Sequence, residues 1–167
     1  ATRGDLALRV SANGTLQPTR SVNLGSELSG TVARVLVDVN DRVTDEAVAA
    51  WQPDAVVAPF LKRRIADEVW RRLPCLVVHP GIVGDRGPSA LDWALQEGAV
   101  EWGVTVLRAN AEMDAGDVYA TATFPLRAAT KSSVYRNEVA DAAVTAVREA
   151  LAKLAAGVAP TPLAETW

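Results

Sequence analysis

The chain has 167 residues, 49% of them hydrophobic and 22% charged, and a formal net charge of −3 at pH 7. This length and composition are typical of one globular domain of ordinary size. The weak, mixed charge argues against nucleic-acid binding, no apolar run is long enough to cross a bilayer, and a single cysteine excludes an internal disulfide and a cysteine-based zinc site.

Residues 1–43 are rich in Thr, Ser, Val, Gly and Asn, with turn signals at Asn13-Gly14 and Gly25-Ser26. Short strands are predicted over residues 6–10, 21–24 and 31–39. In the last of these, valines at every second position give an incomplete period of two. We therefore expect a β-rich N-terminal segment.

From Thr44 onward, predicted strands and helices alternate. Thr44 is the expected N-cap of a short helix that ends at Trp51, since two acidic residues follow it in the first turn. The further predictions are strands over 55–58, 75–78, 105–108 and 118–124, helices over 64–72 and from Pro88, and a long helix from Ser132 or Ser133 to Gly157. This alternation predicts an α/β domain over residues 44–157 with an open, mainly parallel sheet. Residues 158–167, which contain two prolines, are predicted to be a linker.

The only histidine, His79, directly follows the predicted strand 75–78. In an open α/β sheet, ligands bind beyond the carboxyl ends of the strands, so we expect its imidazole at such an edge. There it could donate to, or protonate, the oxygen of a tetrahedral intermediate, and Asp114 on a second loop could orient it. Each motif alone also fits a plain turn whose polar groups are satisfied.

Three motifs follow one another in the chain: His79-Pro80, Gly103-Val104-Thr105 and Asp114-Ala115-Gly116. In this order they resemble the formyltransferase family that uses formyl-tetrahydrofolate. The resemblance implies the sheet of that family, catalytic roles for His79 and Asp114, and formyl-tetrahydrofolate as substrate with no metal. It also implies that two loops hold the pterin ring, through Ala58, Pro59, Phe60, Leu61, Asn110, Ala111, Glu112 and Met113. Asp85 and Arg86 could contact a phosphate or carboxylate of a ligand, or pair with each other.

Residues 84–94 and 60–63 indicate one branch of this family, since they resemble the HypX/HoxX hydrogenase-maturation proteins. The resemblance covers about residues 44–160. It implies formyl transfer to coenzyme A, partners in the hydrogenase-maturation machinery and a cytoplasmic location.

Two departures from the family pattern leave alternatives open. Val77 stands where the family has an asparagine, and an apolar side chain cannot donate a hydrogen bond to the oxyanion. Residues 1–43 resemble periplasmic adaptors, the membrane fusion proteins of efflux and secretion systems, which suggests a chimera joined near Val43. The chain could therefore also be an inactive or binding-only α/β domain, or an adaptor fragment that offers an exposed strand edge to partners.

Overall fold

The computed structural model describes residues 44–163. The predicted strands of residues 1–43, the adaptor resemblance and the suggested joint lie outside the described residues. The elements in chain order are helix α1 (Asp45–Trp51), strand β1 (Val56–Pro59), helix α2 (Asp67–Trp70), strand β2 (Cys75–His79), helix α3 (Ala90–Gln96), strands β3 (Glu101–Arg108) and β4 (Val118–Pro125), helix α4 (Lys131–Val134), a π-helical turn (Tyr135–Val139) and helix α5 (Ala140–Ala155).

The strands form an open sheet in the order β1-β2-β3-β4, which confirms the predicted α/β class. Within the described residues, β1 and β2 are parallel, whereas β2 pairs with β3 and β3 with β4 in antiparallel fashion. The expected mainly parallel pairing is therefore not found in this part of the chain. The loop of residues 109–117 joins β3 to β4 without a crossover helix, so these neighbours must run in opposite directions.

Helix α1 has the predicted bounds, and the Thr44 hydroxyl accepts a hydrogen bond from the amide of Ala47 at 3.2 Å. Helix α2 is one turn instead of the predicted residues 64–72. Arg64 lies before it, and its guanidinium donates to the carbonyl of Ala111 and pairs with Asp67 of α2. Pro74 follows closely after α2 and cannot continue a helix.

The long C-terminal helical segment is interrupted by the π-helical turn at residues 135–139. Such a turn inserts a residue and rotates the face that follows it. The sequence predicts a continuous apolar stripe on this helix, formed by Tyr135, Val139, Ala143, Val147, Leu151 and Leu154. Leu151 departs from it, since it is 39% exposed while Ala146 and Ala150 are buried and Leu154 packs against the core. Gly157 ends the segment as predicted, with φ +70° and hydrogen bonds back to the last turn from its own amide and from Val158.

Side chains on β2 alternate between two cores. Leu76 and Val78 belong to the larger core, which the sheet forms with α3 and α5. Cys75 belongs to a smaller core near α1 and α2, and Val77 packs against it. Because His79 is two residues beyond Val77, the two side chains lie on the same face of the sheet.

The linker role predicted for residues 158–167 stays a prediction. The described part of this segment, residues 158–163, contacts the sheet. Thr161 pairs with Val118 through two backbone hydrogen bonds of 2.8 Å. The chain therefore runs along the edge of β4 before residue 163.

Candidate functional site

The imidazole of His79 is held at the end of β2, with only 4% of the residue exposed. Its Nε2 lies 2.6 Å from Oδ2 of Asp85, in the loop that follows the strand. Gly81 lies between them in the chain, and a Cβ at this position would collide with both the ring and the Asp85 carboxylate. The glycine is therefore needed for the chain to fold back under the ring.

Strand β3 fixes this loop from the side. The Thr105 hydroxyl, which is buried, donates to the carbonyl of Gly81 at 2.8 Å, and the indole N–H of Trp102 donates to the carbonyl of Pro80 at 3.0 Å. Two consecutive carbonyl groups of the loop, those of Pro80 and Gly81, are thus held by side chains of β3. This anchoring keeps the carboxyl end of β2 in a defined position relative to β3.

Asp114 reaches the same histidine from the loop between β3 and β4. Its Oδ2 lies 3.4 Å from Nδ1 of His79 and accepts a hydrogen bond from the amide of Gly87 at 3.2 Å. The backbone of Asp114 is left-handed, with φ +53°, a conformation that aspartate tolerates better than most residues. Gly116 packs so closely on the backbone of Arg108 that no side chain would fit. The conformation of this turn therefore explains both the aspartate and the glycine of the Asp-Ala-Gly sequence.

Asn110 shapes the first half of that loop. Its amide nitrogen donates to the carbonyl of Ala115 at 3.1 Å, and its oxygen accepts from the backbone amide of Glu112 at 2.9 Å. Both bonds connect side chain to backbone within the loop, as in turns built by asparagine. Asn110 thus determines where Met113 and Asp114 are presented.

A cavity of about 650 Å³ opens beside His79 and Asp114. Its walls are mainly apolar, with a few polar and cationic groups. The lining residues are Phe60, Leu61, Lys62, Val77, Val78, His79, Pro80, Gly87, Pro88, Ser89, Leu91, Met113, Asp114, Lys131 and Tyr135. A smaller void of about 30 Å³ adjoins it and shares Leu61, Val77, Met113 and Asp114. This concave, mostly apolar shape with convergent polar groups is typical of a small-molecule site.

The predicted ligand-contacting residues divide into three groups. Phe60, Leu61 and Met113 line the larger cavity, and Asn110 and Glu112 line the smaller one. The remaining predictions, Ala58, Pro59, Asp85, Arg86 and Ala111, are in neither lining. Ala58 belongs to the smaller core, and the carbonyl of Ala111 accepts the bond from Arg64. The guanidinium of Arg86 lies 3.7 Å from the Glu112 carboxylate, an ion pair that joins the two loops.

Sequence reasoning missed the contribution of helix α4 and of the π-helical turn that follows it. Lys131 and Tyr135 line the cavity, and the Tyr135 ring packs edge-on against Phe60 at 5.7 Å. Burial raises the pKa of Tyr135, although the positive charge of Lys131 opposes this effect. The Lys131 ammonium also pairs with Asp92 at 2.5 Å. No local motif marks these residues, because only the packing of the long helix on the sheet brings them to the cavity.

The described residues hold no cluster of three or more His, Cys, Asp or Glu side chains that could bind a metal ion. A search of the same residues finds no helix long and apolar enough to span a membrane. The only cysteine, Cys75, is buried at the start of β2, and burial raises the pKa of its thiol to about 11.

Comparison with known proteins shows clear similarity to one family. The sequence model of the formyl transferase family matches residues 31–151. The hydrogenase maturation factor HoxX of Bradyrhizobium diazoefficiens is 58% identical over 130 residues, which are 77% of this chain and 23% of the relative. The crystal structure of HypX from Aquifex aeolicus in complex with tetrahydrofolic acid superposes with a TM-score of 0.70 at 53% identity, over 73% of this chain and 22% of that one.

A more distant match is glycinamide ribonucleotide transformylase 1 from Symbiobacterium toebii, with 26% identity and a TM-score of 0.60 over 67% of this chain and 54% of that one. The chain spans less than a quarter of the length of the HoxX and HypX relatives. The family match includes both loops of the site and begins at residue 31, inside the segment that resembles an adaptor. These findings confirm the resemblance to formyltransferases and to the HypX/HoxX branch, whereas a chimera receives no support from them.

Proposed function

The chain belongs to the formyl transferase family, and we propose that residues 44–163 carry a site that takes a formyl group from formyl-tetrahydrofolate. The observation that supports this most directly is the meeting of His79 and Asp114 at one cavity of about 650 Å³. Sites for small molecules commonly have volumes of about 300–1,000 Å³. The HypX relative that was solved with tetrahydrofolic acid supports a folate as the ligand.

The walls of the cavity suit a flat heterocycle. Phe60, Leu61, Met113 and Tyr135 provide apolar and aromatic surface, which favours stacking and burial of a ring system. Asn110 lies at the adjoining void, but its side chain is already used to shape its own loop. In this proposal, therefore, the apolar walls hold the pterin and the loop backbone provides most of the polar contacts.

The proposed reaction is addition to the formyl carbon followed by loss of the folate. The acceptor nucleophile forms a bond to this carbon, and the carbonyl oxygen becomes an oxyanion. His79 stabilises the oxyanion, and Asp114 assists the transfer of the acceptor's proton. The bond between the formyl carbon and the folate nitrogen then breaks, and that nitrogen receives the proton.

We propose coenzyme A as the acceptor. Its thiol would be converted to a formyl thioester, while tetrahydrofolate leaves with the thiol proton, so that atoms and charge balance. Lys62, which lines the cavity, favours an acceptor that carries phosphates, whereas the ammonium of Lys131 is paired with Asp92. Similarity to HoxX further suggests a role in hydrogenase maturation and a cytoplasmic location.

A binding-only domain is the second candidate, and Val77 is the observation that favours it. This side chain lines the cavity beside His79 without a hydrogen-bond donor. Loss of one oxyanion donor typically lowers kcat by about 10²–10³-fold. A domain that binds formyl-tetrahydrofolate and transfers its formyl group very slowly would match this arrangement.

Calorimetry and a formyl-transfer assay on the same protein separate the two candidates. We expect wild-type chain to bind a stable formyl-folate analogue and to transfer formyl to coenzyme A. His79→Ala should retain binding and lose on the order of 10²-fold or more in transfer rate. Asp117→Ala, at an exposed aspartate in the Asp114 loop, is the matched control and should change neither.

Binding without transfer in the wild-type chain would establish the binding-only function. If the wild-type chain transfers formyl and His79→Ala does so at the same rate, the proposed mechanism is wrong. Absence of folate binding would contradict both functions.

A further inference from the structure

The nearest carboxylate to the His79 ring belongs to Asp85 rather than to Asp114. The Nε2–Oδ2 distance to Asp85 is 2.6 Å, that of a short, charge-assisted hydrogen bond. The Nδ1–Oδ2 distance to Asp114 is 3.4 Å, longer than the usual range for an N–H donor. A neutral imidazole carries only one N–H, so the closer carboxylate determines which nitrogen holds it.

Asp85 approaches the ring from outside the cavity. His79 and Asp114 belong to the lining of the cavity, and Asp85 does not. The side chain of Asp85 is 23% exposed, and its carboxylate packs against the Cα of Gly81. No other group fits between this carboxylate and Nε2 of His79. Its loop is closed by a hydrogen bond from the Asp85 amide to the carbonyl of Ile82. The carboxylate can therefore orient the ring without touching a ligand in the cavity.

We infer that Asp85 is a positioning residue that keeps the His79 proton on Nε2 and leaves Nδ1 as the nitrogen that faces Asp114 and the cavity. This inference rests on the proposed formyl transfer. The lone pair of Nδ1 takes the acceptor's proton as the bond to the formyl carbon forms. The new Nδ1–H then stabilises the oxyanion, and its proton passes to the folate nitrogen when the carbon–nitrogen bond breaks.

Two carboxylates then flank the ring, one at each nitrogen. Asp85 has the role that a buried aspartate has in other histidine-dependent enzymes, where it fixes the tautomer and stabilises the imidazolium. Asp114, on the cavity side, is free to act on the transferred proton. From the sequence, both roles would belong to Asp114. In the structure, Asp85 orients the ring and Asp114 assists the proton transfer.

Nuclear magnetic resonance can test this directly, because His79 is the only histidine of the chain. Long-range ¹H–¹⁵N spectra of ¹⁵N-histidine-labelled full chain identify the tautomer at a pH where titration shows the ring to be neutral. We expect the Nε2–H form in wild-type protein and in the control Asp117→Ala. Asp85→Ala should lose this preference, and Asp85→Leu, which also lacks an acceptor for Nε2–H, provides the same test if the alanine variant does not fold.

An Nδ1–H tautomer in the wild-type chain would overturn the inference, as would an unchanged Nε2–H majority in both folded Asp85 variants. This measurement needs no folate, so its failure is distinct from failure of the proposed function. In the transfer assay, Asp85→Asn should lower kcat on the order of 10²-fold with little change in KM. A rise in KM at constant kcat would instead assign Asp85 to ligand binding and overturn the positioning role.

Discussion

The backbone amide of Gly87 donates a hydrogen bond of 3.2 Å to Oδ2 of Asp114. This bond joins the loop after β2 to the loop between β3 and β4. The same oxygen lies 3.4 Å from the His79 ring, so the Asp114 side chain lies between the end of β2 and the loop that follows it. The site is thus a contact between two loops, each of which depends on the other for its position.

Removing the charge of Asp114 should impair transfer more than folding. In Asp114→Asn the side chain keeps its shape, and asparagine tolerates the left-handed backbone at φ +53°. We expect a transfer rate lower by on the order of 10²-fold, because the carboxylate that assists the proton is lost. Initial rates and thermal unfolding of this variant should be compared with those of Asp117→Asn. Equal rates in the two variants would contradict the role of Asp114.

A methyl group at Gly81 should disrupt the His79–Asp85 pair. The added Cβ of Gly81→Ala would overlap both the ring and the carboxylate, so one of them must move. We expect transfer to fall at least tenfold, as is common when reacting groups are displaced by about 1 Å. The control is Gly98→Ala, which meets open space but has a positive φ, and should cost about 1 kcal/mol in stability without affecting transfer. If Gly81→Ala transfers formyl at the wild-type rate, the pair is not needed.

The sequence predicts the carboxyl ends of the strands to within one residue, although β3 begins at Glu101 and not at the predicted residue 105. It predicts the partners of the site residues less well. His79 follows a buried strand, so a local pattern suffices to place it at the carboxyl end of β2. The position of Asp114 has no such local signal, because β3 is antiparallel to β2 and its end at Arg108 pairs with Leu76. The Asp85 contact depends on how the loop folds back over Gly81. That path is determined by anchoring to Trp102 and Thr105, which lie on another strand and leave no local signal.

Pairing direction and helix faces were harder to predict for the same reason. The alternation of strands and helices favours parallel pairing, yet β2 and β3 run antiparallel although α3 lies between them. The π-helical turn at residues 135–139 interrupts the periodicity ahead of α5, and its first residue, Tyr135, lines the cavity next to Phe60. Both features arise from tertiary packing, which overrides local periodicity.

Adding a donor at residue 77 should test whether the oxyanion lacks one. Val77 lines the cavity on the same sheet face as His79, so Val77→Asn would place an amide beside the reacting oxygen. We expect an increase in kcat of about tenfold, which is less than the 10²–10³-fold lost when a preorganised donor is removed. Val77→Ala controls for the change in volume and should not accelerate the reaction. If the asparagine variant folds and is no faster, another group already serves the oxyanion.

Cys75 should make the stability of the domain depend on pH in the alkaline range. Burial raises the pKa of its thiol from 9.0 to about 11, so the unfolded chain releases this proton first as pH increases. The resulting stability is complete below pH 9 and is lost as pH rises through about 11. Denaturant unfolding of wild-type protein and Cys75→Ala should therefore show a difference in free energy that narrows over this interval. A constant difference would mean that the folded thiol titrates normally.

The most direct test of the central claim is to titrate a stable formyl-tetrahydrofolate analogue into the full chain while observing the His79 imidazole by nuclear magnetic resonance. Because the chain has one histidine, any change in the ring signals reports on the proposed site alone. Our account predicts a saturable shift of these signals in the wild-type chain, and the same shift in Asp117→Ala. Ring signals that stay unchanged up to millimolar ligand would contradict a formyl-folate site at His79 and Asp114.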